Sequence, residues 1–237
     1  VGEPAVGEPA LGEPAADLAA GPLALPEVES LVRLEAAGLP VLRQVRVADA
    51  DGAVAAATEL GFPVVLKIDV VGLVHKSDAG AVRLGLTNGA AVRSAAAELL
   101  ALPLPAGAVR RGLLVARQLS GPELIVGGRR DPTFGPIVIV GLGGILADVL
   151  DDVAIRLAPL DPGTAEAMLD DLRGAAILAG ARGRAAIDRS AVAQAIVRLG
   201  DLLVADPTIL EIDCNPLISG VDGTAAVDAL VVLEGEP

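Results

Sequence analysis

The chain has 237 residues, 53% of them hydrophobic, with two Phe, one Met and no Trp or Tyr, so any core must be built from Ala, Val, Leu and Ile. Its net charge of −13 repels a polyanion such as a nucleic acid, and no basic stripe or aromatic platform offsets that. One Cys excludes an internal disulfide and a Cys-based zinc site, and the longest apolar run, Ile137 to Ala147, is interrupted by three glycines and too short to cross a bilayer.

Residues 1 to about 24 stand apart, because Gly-Glu-Pro-Ala recurs from Gly2, Gly7 and Gly12. Gly and Pro deny both helix and strand, so residues 1–24 read as an acidic, semi-extended linker. The start lacks the basic and apolar segments of a secretory leader, and the expected location is cytoplasmic, away from membranes. A linker in this place, following an initial Val, is expected of a domain cut from a longer protein or of a processed start.

From Leu25 the pattern alternates. Pro26 to Ala37 reads as a helix with Pro in its first turn and Gly38 past its end. Val41 to Val47 is an expected strand. Asp49 caps an expected helix that runs to Leu60 and stops at Gly61. A strand to Ile68 follows, then a histidine loop, then a strand from Ala81 to Leu86. Asn88 caps a helix whose Val92, Ala95, Ala96, Leu99 and Leu100 recur at helical spacing. Strands are expected near 112–119, 123–128, 136–141 and 153–157, with a tight Ser-Gly-Pro turn between the first two. Asp161-Pro162 opens a helix, and a longer helix spans about 190–204. Two strands, about 208–213 and 224–233, end the chain. This order points to α+β sandwiches rather than a doubly wound parallel sheet.

Four constellations carry chemistry. The apolar strand Gly61-Phe-Pro-Val-Val-Leu-Lys-Ile68 ends in a lysine, which is costly to bury unless an anion meets it. The only histidine follows in His75-Lys-Ser-Asp78, ahead of Arg83. Lys67, His75, Lys76 and Arg83 form either a phosphate-handling surface or a hairpin with ordinary surface charges. In Glu211-Ile-Asp-Cys-Asn-Pro216, strand alternation puts Glu211, Asp213 and Asn215 on one face. Such a face suits a hard cation such as Mg2+, or is a solvent face on an edge strand. Asp228, amid aliphatic residues of the next strand, folds back towards Asn215. Val140-Gly-Leu-Gly-Gly-Ile145 lets a backbone approach a ligand and form an anion nest through Gly143 and Gly144. Arg156 either meets a phosphate or pairs with an aspartate. Glu123 opens its strand with a side chain free to face a cleft.

Together these segments resemble the ATP-grasp domain of NDP-forming acyl-CoA synthetases, a group of the ADP-forming acetyl-CoA synthetase type related to the succinyl-CoA synthetase β subunit. The resemblance runs from about Pro26 to Leu233. It is carried by the Gly-Phe-Pro-Val-Val-Leu-Lys strand, His75-Lys-Ser-Asp78, Glu123-Leu-Ile-Val-Gly127 with Asp131-Pro-Thr-Phe-Gly-Pro136, the Gly-Leu-Gly-Gly run, Arg156-Leu-Ala-Pro159 and Glu211-Ile-Asp-Cys-Asn-Pro216-Leu. It implies an ATP-grasp domain over 25–237, with two α+β subdomains gripping ATP or ADP. A nucleotide-lid part falls at about 40–116 and a metal-binding part at about 117–237. By the same resemblance Lys67 holds phosphates, Arg117, Gln118 and Leu119 lie along adenine, and Glu123 takes the ribose hydroxyls. Gly143, Gly144 and Arg156 complete the nucleotide set. Asp213, Asn215 and Asp228 bind Mg2+, and His75 carries a phosphoryl group. Ala116 stands where many ATP-grasp proteins use an acidic or amide residue to meet the adenine amino group, and Gly80-Ala81-Val82 replaces Gly-Gly-Val. The implied protein is a ligase half that makes acyl-CoA only with CoA-binding and CoA-ligase domains, in the same longer chain or a separate α subunit. The alternative is a nucleotide-sensing ATP-grasp module of a multidomain protein such as an acetyltransferase fusion.

Overall fold

The computed structural model describes residues 21–71, 80–144, 152–180 and 185–235. Most of the 1–24 repeat, together with His75, Lys76 and Asp78, lies outside the described residues.

Strand β1 (Leu23–Ala24) and helix α1 (Glu27–Ala36) come first. Gly38 closes the helix at a φ of +84°, a left-handed conformation that glycine adopts without a Cβ clash. Strand β2 (Gln44–Val47) leads to helix α2 (Ala50–Leu60), where the Asp49 carboxylate accepts from Gly52 N at 2.8 Å. Strands β3 (Val64–Val71) and β4 (Val82–Leu86) precede helix α3 (Gly89–Ala101), capped by Asn88. Strands β5 (Val109–Arg117), β6 (Glu123–Asp131), β7 (Gly135–Leu142) and β8 (Val153–Leu157) follow. Helix α4 (Pro162–Asp170) is capped by Asp161, and a short α5 (Ala175–Leu178) precedes α6 (Arg189–Ala205). Strands β9 (Ile209–Gly220), β10 (Gly223–Ala226) and β11 (Leu230–Leu233) finish the described fold.

The strands form two sheets. The smaller has the order β2-β5-β3-β4 and the larger β1-β11-β9-β6-β7-β8, with β10 also on β9. All pairings within them are antiparallel. Each sheet buries one face under helices; the other face carries polar groups beside aliphatic ones, among them the exposed Val153, Ile155 and Leu157 of β8. On the small sheet, Val64, Leu66, Ile68, Leu113 and Val115 pack on Ala53, Ala57, Val92, Ala96 and Leu99 of α2 and α3. On the large sheet, Val126, Val138, Val140, Ile212 and Cys214 pack with Leu34, Met168, Leu169, Ile196 and Leu199. Aliphatic residues fill both cores, as the composition requires.

Several expected boundaries move. β9 runs through Pro216 to Gly220. The expected strand 224–233 is broken into β10 and β11, and Asp228 sits in the break. β5 and β6 are not a hairpin: they belong to different sheets, and 118–122 carry the chain between them. That crossing is tight. A Cβ on Gly121 would lie 2.2 Å from Ser219 O, and one on Gly220 2.2 Å from Ser120 O. β1, with the last two residues assigned to the linker, pairs with Val232 and Leu233.

α1 belongs to both halves. Leu31 and Leu34 lie in the large-sheet core, while Glu27 and Glu29 reach the small sheet, where they meet Lys67 and Arg111. Further ties between the halves are a parallel bridge from Val41 to Ala226 and an ion pair from Arg117 to Asp222 at 3.1 Å.

Candidate functional site

The register of the small sheet decides which side chains share its uncovered face. Lys67 lies opposite Leu114, and Leu114 opposite Arg46. The neighbours Leu66 and Ile68 point into the core. Strand alternation therefore turns Lys67, Asp69, Arg46 and Gln44 to the side that faces α1.

Lys67 is 8% exposed. Its Nζ donates to Glu27 Oε1 at 2.9 Å, Val227 O at 2.8 Å and Asp228 Oδ2 at 3.1 Å. Three protons meet three acceptors, which satisfies an ammonium fully. Burial by itself pulls the lysine pKa down, but the charges of Asp228 and Glu27 and their hydrogen bonds outweigh it and hold the group above its ordinary value. The ammonium thus stays charged where the two halves meet.

Glu27 was not singled out by the sequence. An acid in the first turn of a helix reads as a partner of the helix dipole, and only the tertiary fold reveals that its buried carboxylate meets Lys67 and Gln44. A second chain of charges was missed for the same reason. Asp69 is fully buried and takes Arg46 at 2.6 Å and Arg111 at 3.2 Å, and Arg111 binds both Glu29 oxygens. The Arg111 hydrogen bonds hold Glu29 below the usual carboxylate range. A signal was present in the sequence: an aspartate follows Lys67-Ile68 inside an otherwise apolar strand.

On the large sheet, Glu211, Asp213 and Asn215 share the face turned away from the core, while Ile212 and Cys214 are buried between them. Asp213 pairs in register with Leu230, two residues past Asp228. Burial, then the charges of Glu211 and Asp228, raise the Asp213 carboxyl to about 6. The same burial, with Asp213 and Asp228 nearby, pushes the Cys214 thiol up to about 12 and leaves it inert. Among the described residues, no three His, Cys, Asp or Glu side chains gather as a closed metal cage. Asp213 feels the charges of Glu211 and Asp228 and shares with Asn215 a strand face that is open, oxygen-bearing and negatively charged. That fits a hard cation that keeps water and phosphate in its shell.

The crossover residues lie at the meeting of the sheets. Gln118 N donates to Pro63 O at 2.9 Å, and Gln118 Oε1 accepts from Gly85 N at 2.6 Å. Arg117 reaches Asp222, and Leu119 continues the crossing towards β6. Glu123 accepts from Gly143 N at 2.7 Å through its carbonyl, and a methyl on Gly144 would stand 2.7 Å from Glu123 Oε2. Glu123, Gly143 and Gly144 are therefore neighbours.

Two cations do not join this group. Arg156 lies opposite Val138, a core residue, and so on the helix-covered side of the large sheet, where it pairs with Asp171. Of its two readings, the aspartate partner is the one seen. Arg83 lies opposite Leu66, also a core residue, and pairs with Glu98 of α3 at 3.1 Å. It does not share a face with Lys67. Asp152 is used structurally, accepting from Arg173 N at 2.9 Å and Gly174 N at 2.8 Å.

The ATP-grasp domain family matches residues 17–233. The beta subunit of acetate–CoA ligase (ADP-forming) I from Pyrococcus furiosus is 38% identical over 215 residues, covering 90% of this chain and 92% of the relative. Acetate–CoA ligase (ADP-forming) I from Archaeoglobus fulgidus is 37% identical over 212 residues, which cover 88% of this chain but 31% of that protein. A structure of dinucleotide-forming acetyl-coenzyme A synthetase 1 from Ca. Korarchaeum cryptofilum, in complex with coenzyme A, Ca-AMPCP and HgCl+, is 37% identical. It superposes with a TM-score of 0.83 over 89% of this chain and 93% of that one.

Proposed function

This chain belongs to the ATP-grasp domain family, and from that premise we propose that it is the nucleotide-binding, phosphoryl-transferring half of an NDP-forming acyl-CoA synthetase. The overall reaction joins an acid, CoA and ATP to give acyl-CoA, ADP and phosphate, reversibly. CoA-binding and CoA-ligase domains act with it, from a separate subunit as in the Pyrococcus relative or from a longer chain as in the Archaeoglobus one. The work is cytoplasmic. The observation that carries the reading is the buried, charged Lys67 held between the halves. An ammonium kept charged there is a phosphate ligand in waiting.

In this reading the nucleotide phosphates take Lys67 from Glu27 and Asp228. Gly143 and Gly144 offer backbone N–H groups, Glu123 takes ribose hydroxyls, and Arg117 to Leu119 line the base. Arg156 stays outside this group, paired with Asp171, and would have to leave that ion pair to meet a phosphate. Asp213, Asn215 and Asp228 would hold Mg2+, which supplies charge neutralisation of the phosphates. His75, which lies outside the described residues, is the proposed carrier. Its imidazole nitrogen forms a P–N bond as the bond from the γ-phosphorus to ADP breaks, and ADP leaves with the electron pair. The phosphoryl group then passes to the CoA-ligase part.

Calorimetry with Mg·ATP on the wild type and Lys67→Ala tests the central assignment. Losing the charge-assisted contact should weaken binding by about 1.5–3 kcal/mol. Equal affinities would remove Lys67 from the site.

A further inference from the structure

Gln44 lies opposite Ala116, and Ala116 opposite Val65, two residues before Lys67. The amide therefore projects between the start of the crossover and the lysine. Gln44 Nε2 donates to Glu27 Oε1 at 2.7 Å and Val227 O at 3.2 Å, the same two oxygens that hold Lys67. Gln44 Oε1 is buried and meets no donor among the described residues. Buried acceptors without a donor are uncommon and costly.

Turning the amide over does not relieve this. It would aim Oε1 at a carboxylate and a carbonyl, both acceptors. The three protons of Lys67 are already committed. Gln44 is thus locked with an acceptor presented beside Ala116, whose methyl offers no polar atom. The residue as a whole is half-buried, while Oε1 itself is covered, so a base reaches it only by displacing the groups that now cover it.

We infer that Gln44 selects the purine: its Oε1 accepts from the exocyclic 6-amino group of adenine and opposes the 6-oxo group of guanine or hypoxanthine. The inference rests on the nucleotide reading above, in which Arg117 to Leu119 line the base. A donor at position 6 satisfies the orphaned oxygen, whereas a 6-oxo purine sets two acceptors against each other.

The test titrates the full chain with Mg·ADP and Mg·IDP, which differ at position 6 and in the protonation of N1. The wild type should bind ADP about 10- to 100-fold more tightly. Gln44→Leu should lose most of that ratio by weakening ADP while leaving IDP unchanged or tighter. A purely structural role would weaken both together, and that outcome overturns the assignment. Equal binding of ADP and IDP by the wild type overturns it without reference to any variant, and leaves the nucleotide reading intact. Failure of the wild type to bind either nucleotide overturns both.

Discussion

Asp213 shows how one residue records the purpose of a face. With an ordinary carboxyl value of 3.8 and a folded value of about 6, it holds a proton in the folded state that the unfolded chain has lost between those pH values. Stability from this group is present below about pH 4 and is lost as pH rises through about 6. At pH 7 without metal, Asp213 therefore weakens the fold, by about 1–2 kcal/mol once its partial exposure is allowed for. Asp213→Asn should raise the melting temperature at pH 7 in chelator, by about 2–4 °C per kcal/mol. It should also flatten the slope between pH 4 and 6. Melts of the two proteins across that range check this, and parallel curves would refute it. Added Mg2+ should stabilise the wild type by mass action more than the variant. His75→Ala should retain nucleotide binding yet abolish acyl-CoA synthesis when the CoA-ligase domains are supplied in trans. Full activity in that assay would return His75 to a structural role.

At the scale of elements, the crossover between β5 and β6 is the most constrained piece of backbone. Gly121 and Gly220 face each other's neighbouring carbonyls at distances no Cβ tolerates. Gly121→Ala should cost about 1–3 kcal/mol through forced backbone shifts, read as a lowered urea midpoint. A neutral result would mean that the crossing has room for a methyl group. Local chemistry made the helices legible: Asp49, Asn88 and Asp161 each cap the helix expected of them. The same chemistry could not place β5 and β6, because Ser-Gly-Pro turns a chain equally well into a hairpin or across to another sheet. It also hid Pro216 inside β9, since Pro is an ordinary stop signal for a strand. In the site, the alternation of Glu211, Asp213 and Asn215 was readable from period two alone. The two readings of Arg83 and of Arg156 stayed open because proximity in sequence does not say which face a strand residue takes. Glu27 and Gln44 were invisible because their partners lie on other elements, 40 residues away for Glu27 and Lys67 and 183 for Gln44 and Val227.

For the whole molecule, α1 joins the two sheets, with Leu31 and Leu34 in one core and Glu27 and Glu29 on the other half. The strand just before it, β1, pairs with β11. Removing residues 1–20 should leave melting temperature and nucleotide affinity nearly unchanged, while a cut past Ala24 should lower the melting temperature by removing that pairing. A large loss from the shorter cut would make the repeat part of the fold. The three-way hold on Lys67 has a kinetic side as well. In the proposed role of Lys67, a ligand anion does not arrive at a bare cation; it displaces resident carboxylates and can be displaced by them. Release then proceeds by exchange, without stranding a buried ammonium, so occupancy trades depth for speed. For a catalyst that lets go of ATP in one direction and ADP in the other, such a self-occupied lysine favours turnover over tight capture.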